Sequence, residues 1–323
     1  MTELQKKIYK ALLLSGDGYI SGEKLAGCCG ISRSSVWKAI TALRKKGIEI
    51  EAVTNAGYRL AEGKVSAARV FDRLRAKYFY NIRYEKRVTS TNTLLKAAAA
   101  AAPEGSVLVS SEQSEGRGRF GRNFVSPESG IYLSILLRPD MAASDAVSIT
   151  AAAAVAVSRA IDRIAGCKTA IKWVNDILLD GKKVCGILTE GALSLETGRL
   201  DSAVLGIGIN IAPPKDGWPE FISDTAGAVF PSVAEAVEND AYNRLCSELL
   251  DNFHDIYVKF PDRGFMNEYR EKSLAVGRKI NVIKGALSRP ATALSIGDDA
   301  SVLVRYDNGE EENLSSGEIS IKL

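Results

Sequence analysis

The sequence predicts an α+β chain of three parts: a winged helix-turn-helix at the N-terminus, a central mixed α/β domain and a small C-terminal β-barrel. Three observations predict it. A length of 323 residues exceeds what one core usually serves. Hydrophobic spacing is helical at the start, alternates between strand and helix from Tyr84, and gives way to short strands with turn residues from Val276. Basic charge is concentrated in residues 1–60, which carry five more Lys and Arg than Asp and Glu, whereas the whole chain is only +3. The predicted boundaries are 1–62, 63–272 and 273–323.

In the first part, Leu4, Ile8, Ala11, Leu12 and Ser15 recur at helical spacing until Gly16-Asp17-Gly18 breaks the pattern. A second helix begins at the Ser21 cap, runs through Leu25 to Cys28-Cys29 and stops at Gly30. Ser32 caps a third from Arg33 to Lys46, with Val36, Ile40 and Leu43 on its apolar side and Gly47 as terminator. Arg33, Ser34, Trp37, Lys38, Thr41 and Arg44 lie off that stripe, a donor set suited to phosphates and base edges. With the capping Ser21 and Ser32, they form the candidate DNA-binding set. The alternation Ile48 to Val53, the turn Asn55-Ala56-Gly57 and the return through Tyr58 to Leu60 make a wing. A helical bundle with a solvated basic face is the competing reading.

Farther on, residues 61–75 connect and become helical. Thr89-Ser90-Thr91 caps a helix expected from Asn92 through the alanines 97–102 to Pro103. Strands are expected at Ser106–Ser110, Ile131–Leu137, Ala170–Trp173, Lys183–Leu188 and Ala203–Asn210, with a helix of small residues at 147–164. Asp307-Asn308-Gly309 turns a hairpin in the last part.

Composition removes several classes of function. A balanced net charge argues against a chain that coats nucleic acid along its length, so any basic function is local. Five cysteines without C-x-x-C spacing argue against a disulfide framework or a zinc site. His254 alone weakens every mechanism built on a histidine base. Met1 to Lys10 is polar, and the apolar run 149–157 is far below the ~20 residues of a membrane helix, so a soluble cytoplasmic protein is expected.

Gly116-Arg117-Gly118-Arg119-Phe120-Gly121-Arg122 satisfies G-x-G-x-x-G on paper. A dinucleotide motif must open into a helix, and here Asn123 to Pro127 leads to a strand. What remains is three arginines alternating with glycines, whose guanidinium forks and mobile amides suit phosphate or carboxylate. A solvated arginine-glycine linker is the alternative. Ser90-Thr91-Asn92, Lys172-Trp173-Val174-Asn175-Asp176 and Lys183 supply further polar clusters at element ends.

The order S-T-N, Q-x-x-G-R-G-R-x-G-R, K-W-x-N-D, G-x-K-x-x-G-I-L-x-E and G-I-G-I-N resembles the biotin protein ligases. These motifs lie at Ser90 to Asn92, Gln113 with Gly116 to Arg122, Lys172 to Asp176, Gly181 to Glu190, and Gly206 to Asn210. With a winged helix in front, the chain resembles the bifunctional type that also represses the biotin operon. It departs from the family pattern at Phe120, Phe124 and Val174, where a basic residue, tryptophan and proline are common.

The resemblance implies a class II synthetase-like sheet in the central ligase domain and an SH3-like C-terminal β-barrel. It implies a two-step reaction: biotin and ATP, with Mg²⁺, give biotinyl-5′-AMP, and a lysine of the biotin carboxyl carrier protein then takes the biotinyl group. The carboxylate nucleophile is already ionised at neutral pH, which suits a chain with one histidine. By the family pattern, Ser90, Thr91, Asn92, Gln113, Arg117, Gly118, Arg119 and Lys183 bind biotin. Arg119, Arg122, Lys172, Asn175 and Asn210 bind ATP. Lys183, Arg119 and Asp176 are the catalytic candidates, Asp176 being a helper for the incoming lysine, a metal contact or a strand-end residue. Operator DNA and a homodimer formed on adenylate binding are the further implied partners, with no membrane. A biotin-sensing transcription factor without turnover, and lipoate attachment by a related fold, are the alternatives.

Overall fold

The computed structural model describes residues 2–15, 18–45, 48, 50–60, 64–142, 145–193, 196–260, 262–284, 287–315 and 318–321. The expected breaks at Gly16-Asp17 and Gly47 lie outside these.

The N-terminal part is three helices and a hairpin. Helix α1 (Glu3–Leu14) opens on a capping box between Thr2 and Gln5, α2 (Gly22–Cys29) is capped by Ser21, and α3 (Arg33–Arg44) by Ser32. Ile8, Leu12, Leu25, Val36, Ile40 and Leu43 close a core from all three. The wing pairs β1 (Ile50–Val53) with β2 (Gly57–Leu60). Gly57 has φ +114°, and a Cβ there would fall 2.2 Å from the Ile20 carbonyl, so the bridge between Ile20 and Tyr58 needs glycine.

After α4 (Ala67–Arg73), the central part lays out β3 (Asn81–Val88), α5 (Thr91–Ala98), β4 (Ser106–Gln113), β5 (Ile131–Leu137) and α6 (Ala146–Ala165). Then come β6 (Ala170–Lys172), β7 (Asp176–Leu179), β8 (Lys182–Leu193), β9 (Leu200–Ile209), α7 (Val233–Glu238), α8 (Ala241–Tyr257) and α9 (Phe265–Lys272). The sheet order is β3-β4-β5-β9-β8-β7-β6, parallel between β3 and β4 and antiparallel elsewhere. Every residue of β5 is buried, as a central strand covered on both faces requires. The alanines of α6 let that helix sit close on one face, with α8 packed behind, while Leu95 of α5 meets Leu136 and Val204 on the other.

Two expectations need correction. The alanine run does not stay helical to Pro103: α5 ends at Ala98, because Arg138 draws the carbonyls of Ala99 and Ala102 to its guanidinium at 2.6 and 3.3 Å. Tertiary bonds override alanine's helix preference here. The strand expected to include Trp173 stops at Lys172, and the chain turns through Trp173-Val174-Asn175 into β7, a strand too short to show periodicity. The peptide between Trp173 and Val174 is cis.

The C-terminal part is β10 (Lys279–Lys284), β11 (Leu287–Ile296), β12 (Val302–Tyr306), β13 (Glu311–Leu314) and β14 (Glu318–Ile321), an antiparallel sheet ordered β13-β12-β11-β10-β14. It is fastened to the central part at three points. Trp173 Nε1 donates to the Ala300 carbonyl at 2.8 Å, Leu274 N–H to Ile171 O at 2.9 Å, and Arg270 Nε to Ile296 O at 2.8 Å.

The winged helix is fastened through α8. Asn243, fully buried, accepts from Ser66 N–H at 2.9 Å and donates to Lys64 O at 3.0 Å and to Asp240 Oδ1 at 2.7 Å. Asp240 also takes Arg73 at 2.6 Å, Arg69 bonds Tyr9 of α1, and Lys10 pairs with Glu238 at 2.7 Å. The Asn243 amide thus holds the backbone on both sides of Val65 in the connection. Replacing it strands two backbone groups, so Asn243→Ala is expected to cost about 2 kcal/mol in urea denaturation and to expose the segment near residue 64 to protease.

Candidate functional site

Strand order and turn chemistry bring most of the expected residues to one cavity at the ends of β4, β8 and β9. Ser90, Thr91, Asn92, Gln113, Arg117, Gly118, Arg119, Arg122, Lys172, Asn175, Asp176 and Lys183 all line it. Its two poles differ in chemistry.

One pole is neutral and rich in hydrogen bonds. Ser90 is the N-cap of α5, its Oγ accepting Thr93 N–H, and Ser90, Thr91 and Asn92 are all buried. Gln113 Oε1 accepts Thr91 N–H at 2.9 Å, and its Nε2 donates to Ser126 Oγ at 3.0 Å. These bonds fix side chains that short polar residues at a helix start would otherwise leave mobile.

The other pole is cationic. Arg117, Arg119, Arg122, Lys172 and Lys183 face Asp176, the single carboxylate among the described lining residues. Lys183 Nζ stands 2.7 Å from Asp176 Oδ1, a pair formed because β7 and β8 are antiparallel neighbours. The arginine segment is folded rather than loose: Gly118 N–H donates to Arg122 O at 2.7 Å, Phe124 N–H to Gly116 O at 2.8 Å, and Arg117 pairs with Asn123. Its only helical element is a three-residue 3₁₀ turn, Arg119–Gly121, so no helix N-terminus follows the glycines. Arg119 Nη1 reaches Asn175 Oδ1 at 3.3 Å, which joins the loop to the turn after β6. Phe120 takes a left-handed backbone, φ 55°, and lines the cavity while remaining 68% exposed, with the Arg119 guanidinium 5.0 Å from its ring centroid.

Asn210 differs from its expected place. It does not line the cavity; its Nδ2 donates to Gly227 O at 2.9 Å and Lys183 O at 3.3 Å, so its amide braces the backbone beneath Lys183. The local reason is the end of β9, where the chain folds inward and Asn210 N–H joins Val184 O at 2.8 Å.

Sequence reasoning overlooked several lining residues, chiefly Phe124, Tyr132, Gly186, Gly208 and Ile319. Phe124 lies between the two poles, with Lys183 Nζ 5.7 Å from its ring centroid and Tyr132 edge-on at 6.3 Å. A Cβ on Gly208 would stand 2.5 Å from that ring. Glycines two apart on one strand, Gly206 and Gly208, were the available signal: both face a neighbour too close for a side chain. Ile319 comes from β14, so the C-terminal sheet closes one wall.

Other candidate groups lie elsewhere. His254 sits far back on α8, bonding Tyr78 Oη at 3.2 Å, and burial lowers its pKa. Burial pushes the Cys185 thiol well up and Cys246 to about 12, which removes both as nucleophiles at neutral pH. Among the described residues no group of three or more His, Cys, Asp and Glu is placed to hold a metal on its own.

On α3, Arg33, Ser34, Trp37 and Lys38 are exposed together, Trp37 by 59%. Ser21 and Ser32 serve as caps, through Lys24 N–H and Ser35 N–H. Thr41 folds back to Trp37 O at 2.9 Å, and Arg44 spends its guanidinium on Ile50 O at 2.6 and 3.0 Å, steadying the wing.

Residues 84–210 match the biotin/lipoate A/B protein ligase family, and residues 5–59 match a helix-turn-helix domain. The chain is 35% identical to the bifunctional ligase/repressor BirA of Bacillus spizizenii over 95% of each chain, and 34% identical to that of Bacillus subtilis over 98% of each. Among solved structures it is similar to the biotin protein ligase of Aquifex aeolicus, in complex with biotin and ATP, with a TM-score of 0.60 and 27% identity over 76% of this chain and 99% of that one. With both segments matched at that identity and coverage, the chain belongs to the BirA family of bifunctional ligase/repressor proteins, among the biotin/lipoate A/B protein ligases.

Proposed function

We propose that the protein joins biotin to ATP to make biotinyl-5′-AMP, transfers the biotinyl group to a lysine of a biotin carboxyl carrier domain, and represses biotin genes when it holds the adenylate. The observation that carries this reading is the two-pole cavity. Ser90, Thr91 and Gln113 offer matched hydrogen bonds to a ureido ring, and five cations gather where a carboxylate and a triphosphate would meet. Retention of Lys183 and Arg119 in that cavity favours turnover over passive sensing.

In the first step the biotin carboxylate attacks the α-phosphorus, forming a C–O–P anhydride while the bond to pyrophosphate breaks. No base is needed, because the nucleophile is an anion already. The obstacle is repulsion between that anion and the phosphates, and the protein's part is neutralisation and alignment. Lys183 bridges carboxylate and α-phosphate once it leaves Asp176, Arg119 and Arg122 take phosphate oxygens, and Lys172 lies on the leaving-group side. Asn210 serves this site indirectly, by holding the Lys183 backbone. Asp176 also fits a Mg²⁺ ion, which keeps waters and phosphate oxygens around one or two carboxylates. Such an ion would add charge neutralisation at the phosphates.

In the second step a neutral amine attacks the biotinyl carbonyl and AMP departs. Asp176 orients that amine or takes its proton. Lys183→Ala is expected to lower adenylate formation by at least about a hundredfold, read by mass spectrometry after incubation with biotin, ATP and Mg²⁺, while part of the biotin affinity survives. Asp176→Asn is expected to keep adenylate formation within about tenfold and to slow carrier labelling by about a hundredfold; equal labelling by variant and wild type would remove Asp176 from this step.

Repression follows if the adenylate favours a homodimer, because two copies of α3 then meet two half-sites with Arg33, Ser34, Trp37 and Lys38 toward DNA. We place the protein in the cytoplasm, where operator and carrier are both within reach; among the described residues no helix is long and apolar enough to cross a membrane. Operator affinity is expected to rise when biotin and ATP are supplied together and to fall when apo-carrier is added. Equal gel-shift affinity in all three conditions would refute the coupling.

A further inference from the structure

Left-handed backbone strains a residue that carries a Cβ, and it persists only where the surrounding structure enforces it. Among the described residues, Asn55, Phe120, Asp180, Asp240 and Ala300 are the non-glycine residues that adopt it. Asn and Asp do so readily, because their short polar groups bond locally. Phe120 and Ala300 lack that compensation, and both lead to the turn Trp173-Val174-Asn175. Ala300, φ 63°, gives its carbonyl to Trp173 Nε1 at 2.8 Å. Phe120, φ 55°, follows Arg119, whose Nη1 donates to Asn175 Oδ1 at 3.3 Å.

Phe120 and Gly121, φ 72°, reverse the chain, with Arg117 bridged to Asn123 and Gly118 N–H donating to Arg122 O at 2.7 Å. A glycine at position 120 would make the same reversal without strain, so the turn does not account for the aromatic side chain. Burial does not account for it either, since Phe120 is 68% exposed while lining the cavity. Its ring does meet the Arg119 guanidinium, 5.0 Å from the centroid. A ring face attracts a cation through its quadrupole. It steadies the arginine without a carboxylate, which would cancel the charge and occupy N–H groups that suit phosphate oxygens.

We propose that Phe120 is a positioning residue for Arg119: its ring holds the guanidinium toward Asn175 and the cationic pole before the nucleotide arrives, so ATP binding does not have to order that side chain. This rests on the ligase reading of the same cavity. Ring and guanidinium are carried by adjacent residues, and they stay together when Arg119 exchanges Asn175 for a phosphate oxygen. Ser90, Thr91 and Gln113 form the other pole, so biotin affinity lies outside the reach of Phe120. The gain is in the ordering cost of one long side chain, which shows in the KM for ATP rather than in kcat.

The test measures kcat and KM for ATP in adenylate formation, calorimetric biotin affinity and melting temperature for the full chain and its variants. Phe120→Leu keeps an apolar side chain and loses the quadrupole. It is expected to raise KM for ATP about threefold or more, with kcat and biotin affinity held within about twofold. Phe120→Trp restores a ring face and is expected to keep KM within about twofold of the unchanged protein. Phe120→Gly suits the backbone while removing the ring, and is expected to raise KM at least as much as Phe120→Leu. In the Arg119→Ala background, Phe120→Leu is expected to add less than about 1.5-fold. Unchanged KM in Phe120→Leu or Phe120→Gly would show that the turn alone sets Arg119 and overturn the proposal. An equal effect of Phe120→Leu with and without the guanidinium, or a loss of biotin affinity as large as the rise in KM, would make Phe120 a general support and overturn it too. Failure of the unchanged protein to form any adenylate would instead overturn the ligase reading, and this proposal with it.

Discussion

Charge sets the terms for this protein. Arg117, Arg119, Arg122, Lys172 and Lys183 are gathered round one cavity with Asp176 as the single carboxylate among the described lining residues. Like charges brought together inside a partly water-excluded space repel, and only a firm scaffold or an anionic ligand keeps them there. The free protein uses the scaffold: Lys183 rests on Asp176, Arg119 on Asn175, and the arginine loop closes on itself from Gly118 to Arg122. A triphosphate and a carboxylate supply the missing negative charge, so substrate binding and charge relief are one event. Catalysis by placement then needs neither the distant histidine nor the buried thiols.

A scaffold that holds such a cluster has to be stiff at its base. Gly206 and Gly208 permit Asn92 and Phe124 to press directly onto β9, and any side chain there would break the fit. From the opposite wall, the C-terminal sheet reaches the site through Ile319 and through the bond from Trp173 to Ala300, which anchors the turn that carries Asn175 and Asp176. On the third side, Lys64 of the interdomain connection meets Glu128 at 3.6 Å, just past the end of the arginine loop, while its carbonyl is held by Asn243. Side-chain contacts therefore run from the interdomain connection to the segment that follows the arginine loop.

Much of this was readable in the residues themselves. Caps wrote three helix starts, at Ser21, Ser32 and Ser90, because a short polar side chain before an apolar stripe has few other uses. The failure of the glycine-arginine segment as a dinucleotide motif was readable from Pro127 and the strand beyond it. Hidden features were those fixed by distant partners. Nothing local in the alanine run announces Arg138, which ends α5, and nothing near Asn210 announces the carbonyls of Lys183 and Gly227 that turn it away from the cavity. Strand β7 is four residues long and carries no periodicity to read. Phe124 stood out in the sequence only as a departure from the family pattern, and its place in the cavity wall was hidden because its partners, Gly186 and Gly208, lie more than sixty residues on.

We propose that the arginine loop, closed on itself from Gly118 to Arg122, shelters the reactive mixed anhydride from solvent nucleophiles until the carrier lysine arrives. Hydroxylamine capture of biotinyl-5′-AMP measures this shelter directly, comparing adenylate bound by an excess of the protein with free adenylate in the same buffer. Shelter predicts capture at least about tenfold slower for the bound species, with the protection lost in Arg119→Ala. Equal capture rates, bound and free, would contradict it.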